Sequence, residues 1–270
     1  MRSGWARFWF IAEPVWPIWF YRAGLCAWTA AFFLPRVPYL DELYGAWPVH
    51  QPAQPFAWLG LPVLPLVVVQ LMVGALLVLL VLFAVGGGRH PRVVHAIILV
   101  LLGYLFGYDM GPLRGYGKLA AVQWGLLFFA PYDRRPDERA PRWGKRLLML
   151  QFTSVYVFTV FAKTIQGQGW TDGKTLYYSM LSPQYGQHLL SRWVTFDLAM
   201  VKVMAWLVLA GELFVGFGLW FSRTRKLAML ACVGLHLGMA LTLRVSLLFH
   251  ALMLLHLVLF VSWPEPDRRA

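Results

Sequence analysis

An all-α, polytopic membrane bundle of about eight transmembrane helices is the fold class this 270-residue chain predicts, and three observations carry it. Hydrophobic residues make up 59% and charged residues 13%, with a mean hydropathy of +0.59, more apolar than a soluble domain of this size tolerates. Apolar runs recur along the whole chain, at residues 15–34, 61–85, 93–108, 118–131, 145–163, 196–221, 226–243 and 246–263. The segments between them alternate between rich and poor in Lys and Arg, which is how a chain that crosses a bilayer repeatedly sorts its charge.

A crossing needs about 20 mostly apolar residues. The second and sixth runs meet this most clearly. The first follows Arg2 and Arg7 and is broken by Trp and Pro rather than forming a cleavable leader, so it is expected to act as an uncleaved anchor. The third and fourth are short, with Gly103, Gly107, Gly111 and Gly115 around their junction. Tilted spans, a re-entrant pair and displaced ends all fit that pattern. No repeat, low-complexity tract or long linker divides the chain, so residues 1–270 read as one domain.

Charge sets the orientation. One set of connections carries Arg2, Arg7, Arg89, Arg92, Arg134, Arg135, Arg139, Arg142, Lys145, Arg146, Arg223, Arg225, Lys226, Arg268 and Arg269. The other carries Arg36, Arg114, Lys118, Lys163, Lys174, Arg192 and Arg244, while Arg22 and Lys202 lie within runs. The richer set belongs in the cytoplasm, which places both termini there. The net charge of +12 has no basic stripe or nucleic-acid motif behind it, so the lipid bilayer is the expected partner and nucleic acid is not. The two cysteines, Cys26 and Cys232, fall in apolar runs, and no HExxH, CxxC, GxSxG or P-loop pattern occurs. No metal is expected.

Ionisable residues inside apolar runs need a reason, because each disfavours insertion by about 2.5–3.5 kcal/mol. Glu212 lies about 16 Å of helix before the basic turn Ser222–Arg225, and His236 about 15 Å after it. Helices joined by so short a turn are antiparallel neighbours, so Glu212 and His236 at equal depth are expected to pair. His256 and Arg22 lie in the same half of their runs, and the four residues form a candidate intramembrane polar cluster. It serves either as packing glue or as a substrate or proton site. Lys202 reads as a boundary residue whose side chain reaches outward. His95 and His250 read as residues of span ends, and His50 and His90 as loop residues.

The most distinctive local stretch runs from Phe161 to Tyr178. A lysine, Lys163, closes an apolar run; a Gly/Gln turn follows, then Trp170, Asp172-Gly173, and the pair Tyr177 and Tyr178. One reading is an interfacial belt, with aromatic anchors and a turn at Asp172-Gly173. The other is a pocket in which a lysine in apolar surroundings acts as a base.

The pattern Lys-x(6)-Trp-x-Asp-Gly-x(3)-Tyr-Tyr resembles the HTTM (horizontally transferred transmembrane) domains, bacterial relatives of the membrane domain of vitamin K-dependent gamma-carboxylase. Arg22-Ala-Gly24-Leu25 with Leu34-Pro35-Arg36 and Leu43-Tyr44-Gly45 resembles the family's opening, and Trp124 to Pro131 its middle. Glu212, the turn Arg223-Thr-Arg225 and His236 resemble its closing helices. The resemblance implies an inner-membrane, multi-pass protein. In the carboxylase the corresponding lysine deprotonates vitamin K hydroquinone on the lumenal side, in a reaction that consumes oxygen and carbon dioxide. By resemblance Lys163 is the candidate base, a reduced quinone or a lipid the candidate substrate, and Trp170, Asp172, Gly173, Tyr177 and Tyr178 the substrate pocket. The Lys-to-Trp spacing is one residue longer than in the carboxylase, and Tyr108-Asp109 and Tyr116 stand where the family's His-bearing segment is expected. A non-enzymatic carrier or assembly protein built on Arg22, Glu212 and His236 is the alternative reading.

Overall fold

Helices occupy every predicted apolar run in the computed structural model, which describes residues 4–45, 58–60, 62–108, 115–167, 169–186, 189–195 and 197–261. The predicted run limits Leu61, Phe196 and Trp263 lie outside the described residues, as do Arg2, His50, Asp109, Gly111, Arg114, Arg268 and Arg269. The helices are α1 (Gly4–Phe10), α2 (Trp16–Phe33), α3 (Leu40–Tyr44), α4 (Leu66–Ala84), α5 (Pro91–Tyr108), α6 (Gly115–Leu127) and α7 (Trp143–Phe161). They continue as α8 (Lys174–Leu181), α9 (Ser191–Val194), α10 (Leu198–Gly218), α11 (Arg225–Thr242), α12 (Leu247–Leu255) and α13 (Leu257–Phe260). Among the described residues, four helices are long and apolar enough to cross a bilayer, at Leu66–Ala84, Trp143–Ile165, Leu198–Gly218 and Arg225–Thr242, and two shorter apolar ones lie at Pro91–Gly107 and Leu247–Phe260.

The apolar faces of these helices point both ways. On α4, Val69, Val73, Leu76, Leu80 and Phe83 form a buried stripe at helical spacing, while Val67, Leu71, Val78 and Val81 on the other face are more than half exposed. On α11 the buried residues are Ala228, Cys232 and His236, and the exposed ones include Leu227, Leu230 and Leu237. A helix that keeps its small and polar residues inside and leaves leucines outside is stable only where the surroundings are themselves apolar.

Contacts divide the chain into two compact units, residues 1–148 and 149–270, with the division falling inside α7. In the first, a short antiparallel ribbon pairs β1 (Ala12–Pro14) with β2 (Arg139–Pro141), in the register Ala12–Pro141, Glu13–Ala140 and Pro14–Arg139. Beside it Glu13 accepts from Arg142 Nη1 and from Lys145 Nζ, each at 2.6 Å. Arg142 also donates to the carbonyls of Phe8 and Arg7, tying α1 to the ribbon. Three-residue strands have too few ladder bonds to persist alone, so this ion-paired clamp is what holds them.

Arg22 is 1% exposed on α2 and donates to the carbonyls of Tyr132 at 2.8 Å and Ala84 at 3.2 Å. Ala84 ends α4, so the guanidinium satisfies a carbonyl that the helix leaves without an internal partner. Its carbon also lies 5.4 Å from the Trp19 ring and 5.3 Å from that of Phe83. The charge is spent on backbone and aromatic faces within this unit.

Burial raises the Glu13 carboxyl, but Lys145 and Arg142 outweigh it and hold it below its usual value of 4.5. A depressed carboxylate contributes stability above its unfolded value and loses it as pH falls through the depressed one. Glu13→Gln is expected to lower stability at neutral pH by about 2 kcal/mol, the scale of charge-assisted hydrogen bonds. Thermal melts of the detergent-solubilised protein should show the deficit shrinking in acid; a deficit constant down to the most acid point would contradict the assignment.

Candidate functional site

Two side chains on antiparallel helices meet because both lean the same way along their own chains. In the second unit, Thr153 on α7 donates to the carbonyl of Gly216 on α10 and accepts from Trp220 Nε1 at 2.7 Å. A Cβ at Gly216 would lie 3.2 Å from Val157, so glycine lets the two helices close. Counting outward from this register, Lys163 sits opposite Trp206, about 9 Å along the axis from Glu212. Helical side chains slant toward their own N-terminus, and the helices run oppositely, so Lys163 and Glu212 slant toward one another. Lys163 Nζ donates to Glu212 Oε1 at 2.5 Å.

The pair is enclosed, with side-chain exposures of 16% for Lys163 and 7% for Glu212. Glu212 Oε2 is buried and has no hydrogen-bond partner among the described residues. Lys163 lies in a single π-helical turn, Ala162–Gln166, which widens the end of α7 and is closed by Gly167 N donating to Ala162 O. The Trp170 ring then folds back over the ammonium, 4.5 Å from its centroid. A Cβ on Gly167 would lie 2.8 Å from Trp170 Cδ1 and 2.9 Å from Lys163 O, so the ring can close only over glycine.

The loop is pinned to α10. Gly173 has φ +85°, and a Cβ there would lie 2.7 Å from the Cα of Lys202, so the two backbones are in direct contact. Trp206 Nε1 donates to Thr171 O at 3.1 Å. Asp172 Oδ1 accepts from Lys174 N, and Oδ2 pairs with Lys174 Nζ, both at 3.0 Å. The hydrogen bonds from Lys174 hold the Asp172 carboxyl below its ordinary value, and the same contact raises Lys174. Asp172 therefore shapes the start of α8. Leu176 and Met180 of that helix pack on Val201 and Ala205, with Trp170 and Tyr177 partly buried against them.

Lys163 and Trp170 stand where two cavities meet. One, of 430 Å³, is apolar and runs between α10 and α11, lined by Met204, Val208, Gly211, Gly234, Gly238 and Leu243 among others. The other, of 550 Å³, lies along α7 beside Ser154, Phe158 and Thr159. Neither Tyr177 nor Tyr178 lines either cavity, and Tyr178 is 65% exposed. Trp170 alone of the predicted aromatic wall faces this space.

The four residues read as one intramembrane cluster find separate partners. Glu212 pairs with Lys163 rather than with His236. His236 Nε2 meets the Tyr156 hydroxyl at 2.9 Å, and its Nδ1 meets His250 Nδ1 at 3.0 Å. His256 Nδ1 lies 2.9 Å from the carbonyl of Leu252, with its ring stacked on Phe152. Arg22 makes its hydrogen bonds within the first unit. Tyr156 carries no charge to mark it within its apolar run, and the sequence places Cys232 only within an apolar run and His250 only near the end of one.

The HTTM domain family matches residues 130–264, half of the chain, a stretch that holds Lys163, Trp170, Glu212 and His236. The chain belongs to the HTTM family. As an HTTM protein with several helices of membrane-spanning length, it is a membrane protein. No curated protein and no solved structure matches it.

Removing one partner of an enclosed ion pair strands the other. Lys163→Met is expected to destabilise this HTTM protein by about 3 kcal/mol, the low end for such pairs because a stranded carboxyl can take up a proton. Lys163→Met combined with Glu212→Leu should recover most of the loss. Chemical denaturation in detergent measures both, and strictly additive losses would contradict a direct pair.

Proposed function

We propose that this HTTM protein crosses the bacterial inner membrane eight times with both ends in the cytoplasm, and that Lys163 acts as a base on a quinone-like or lipid substrate. The substrate would enter an outward-facing pocket, and the whole chain would work as one domain. The observation that carries the reading is a lysine held by one carboxylate at the wall of an otherwise apolar cavity. At 430 Å³ the cavity falls within the range of small-molecule sites, roughly 300–1,000 Å³. Its lining offers mostly apolar surface to a ring or chain and, in Lys163, one charged group to a hydroxyl.

The chemistry follows from the pair. A protonated Lys163 cannot accept a proton. Transfer of one proton from Nζ to Glu212 Oε1 leaves a neutral amine beside a neutral carboxylic acid, a form that low-dielectric surroundings favour relative to water. The amine then takes the proton of a substrate hydroxyl and becomes ammonium next to the oxyanion it has made. Trp170 keeps water from that contact, which strengthens it. Glu212 does not touch the substrate in this scheme; it positions Lys163 and stores the proton.

A second reading, a non-enzymatic carrier or assembly protein with a proton-coupled polar core, is favoured by the unpartnered Oε2 of Glu212. The two separate in proteoliposomes supplied with a short-chain hydroquinone. Lys163→Ala combined with Glu212→Gln avoids a stranded charge and is expected to lower turnover by at least about 100-fold, the low end for general acid–base catalysis. Gly234→Leu, whose Cβ enters open space in the cavity, should raise KM without unfolding the protein. Undiminished turnover in the double variant rules out the base, and an effect of Glu212→Gln on transport without any from Lys163→Ala selects the carrier.

A further inference from the structure

Behind the lysine a second buried polar group joins three helices, and the reading of Lys163 as a base leaves it unused. Tyr156 on α7, His236 on α11 and His250 on α12 are 4%, 2% and 5% exposed. Their hydrogen bonds form one unbranched line: Tyr156 Oη to His236 Nε2 at 2.9 Å, then His236 Nδ1 to His250 Nδ1 at 3.0 Å. Cys232 Sγ lies 3.3 Å from the same hydroxyl. The far nitrogen, His250 Nε2, is buried with no hydrogen-bond partner among the described residues. The rings of Phe249 and Tyr156 pack against His236 and leave it no other polar neighbour among those named.

Such a line has two complete proton arrangements. In the first, Tyr156 donates to His236 Nε2, His236 Nδ1–H donates to His250 Nδ1, and the remaining hydrogen sits on His250 Nε2. In the second, His236 Nε2–H donates to the Tyr156 oxygen, Tyr156 donates to Cys232 Sγ, and His250 Nδ1–H donates to His236 Nδ1. Every internal group is satisfied in both. They differ only at the ends, and His250 Nε2 is a donor in one and a bare acceptor in the other. A structural triad has no use for this symmetry, and a buried nitrogen without a partner is disfavoured unless something else uses it.

The near end points back to the site. Tyr156 and Lys163 are seven residues apart, two helical turns on one face of the α7 segment. A Cβ on Gly216, one helical turn from Glu212 on α10, would lie 3.7 Å from Tyr156 Cβ, and Glu212 Oε2 is the carboxylate oxygen that Lys163 does not hold.

We propose that Tyr156, His236 and His250 form a proton relay that clears the proton collected by the Lys163–Glu212 pair. This rests on the reading of Lys163 as a base. Each turnover delivers one proton from the substrate hydroxyl to Lys163 and on to Glu212. The Glu212 carboxyl turns, carrying the hydrogen on Oε1 away from Lys163 to the Tyr156 oxygen, as Tyr156 passes its own hydrogen to His236 Nε2. His236 Nδ1–H moves to His250 Nδ1, and the hydrogen on His250 Nε2 passes to a water molecule at the end of the line. One proton enters, one leaves, and no phenolate or imidazolium persists. The line resets as the Tyr156 hydroxyl rotates and each ring gives the hydrogen it received to water and takes one from water at its other nitrogen.

The test is histidine-ring nitrogen NMR in lipid bilayers, paired with turnover of the short-chain hydroquinone. A relay coupled to Glu212 predicts that Glu212→Gln changes the tautomer ratio of His236 and His250 by about twofold or more, as expected of interacting sites. An unchanged ratio overturns the relay whatever the turnover. His250→Phe and Tyr156→Phe keep ring shape and remove the proton-carrying atoms. Each should lower steady-state turnover about tenfold or more while a single turnover proceeds at the wild-type rate. Wild-type steady-state rates in both, with turnover still lost in the Lys163 variant, also overturn the relay. If turnover survives loss of Lys163 while the tautomer ratio still answers to Glu212→Gln, the base reading fails and the relay stands.

Discussion

Apolar surroundings leave a buried charge no water to turn to, and that constraint shapes this protein more than any single contact. Four enclosed cations among the described residues answer it in different ways. Arg22 donates from Nη1 and Nη2 to backbone carbonyls, one of them at a helix end. Lys145 and Arg142 share Glu13. Lys163, whose helix would naturally aim it back along the bundle, meets the carboxylate of Glu212 coming the other way. Of these answers, only the last leaves a carboxylate oxygen unpaired with a cavity beside the charge, and that difference is what supports the proposal of a site there.

One helix organises the arrangement. α10 supplies Glu212, presents Lys202 backbone to Gly173, holds Thr171 through Trp206, and forms one wall of the apolar cavity with Met204, Val208 and Gly211. The lysine, the tryptophan that covers it and the space beside them are therefore positioned from a common element. A constellation set from one rigid helix keeps its geometry better than one assembled from loops. The π turn and Gly167 are the local adjustments on α7 that let the lysine and the indole share that position.

Much of this was legible in the sequence, and the omissions have physical causes. A run of some twenty apolar residues has few alternatives to helix, so each of the eight runs proved helical, and the ends of α4, α10 and α11 lie within a few residues of their predicted limits. Lys163 stood out by its neighbours, and Glu212 by its charge. Their pairing did not, because matching depth along the axis ignores the slant of side chains, which here spans about 9 Å between antiparallel helices. Depth matching favoured His236 instead, whose real partners, Tyr156 and His250, carry no formal charge to draw attention. The β1–β2 ribbon joins segments more than a hundred residues apart through three-residue strands, too short for periodicity to reveal.

Sidedness is the premise on which an outward-facing pocket stands, and it is also the simplest to challenge. Single cysteines at positions 139 and 174, in a background lacking Cys26 and Cys232, would be exposed to a membrane-impermeant thiol reagent on intact cells. The account predicts labelling at 174 and none at 139 until the cells are opened. Labelling at 139 with protection at 174 would invert the protein in its membrane and contradict the account.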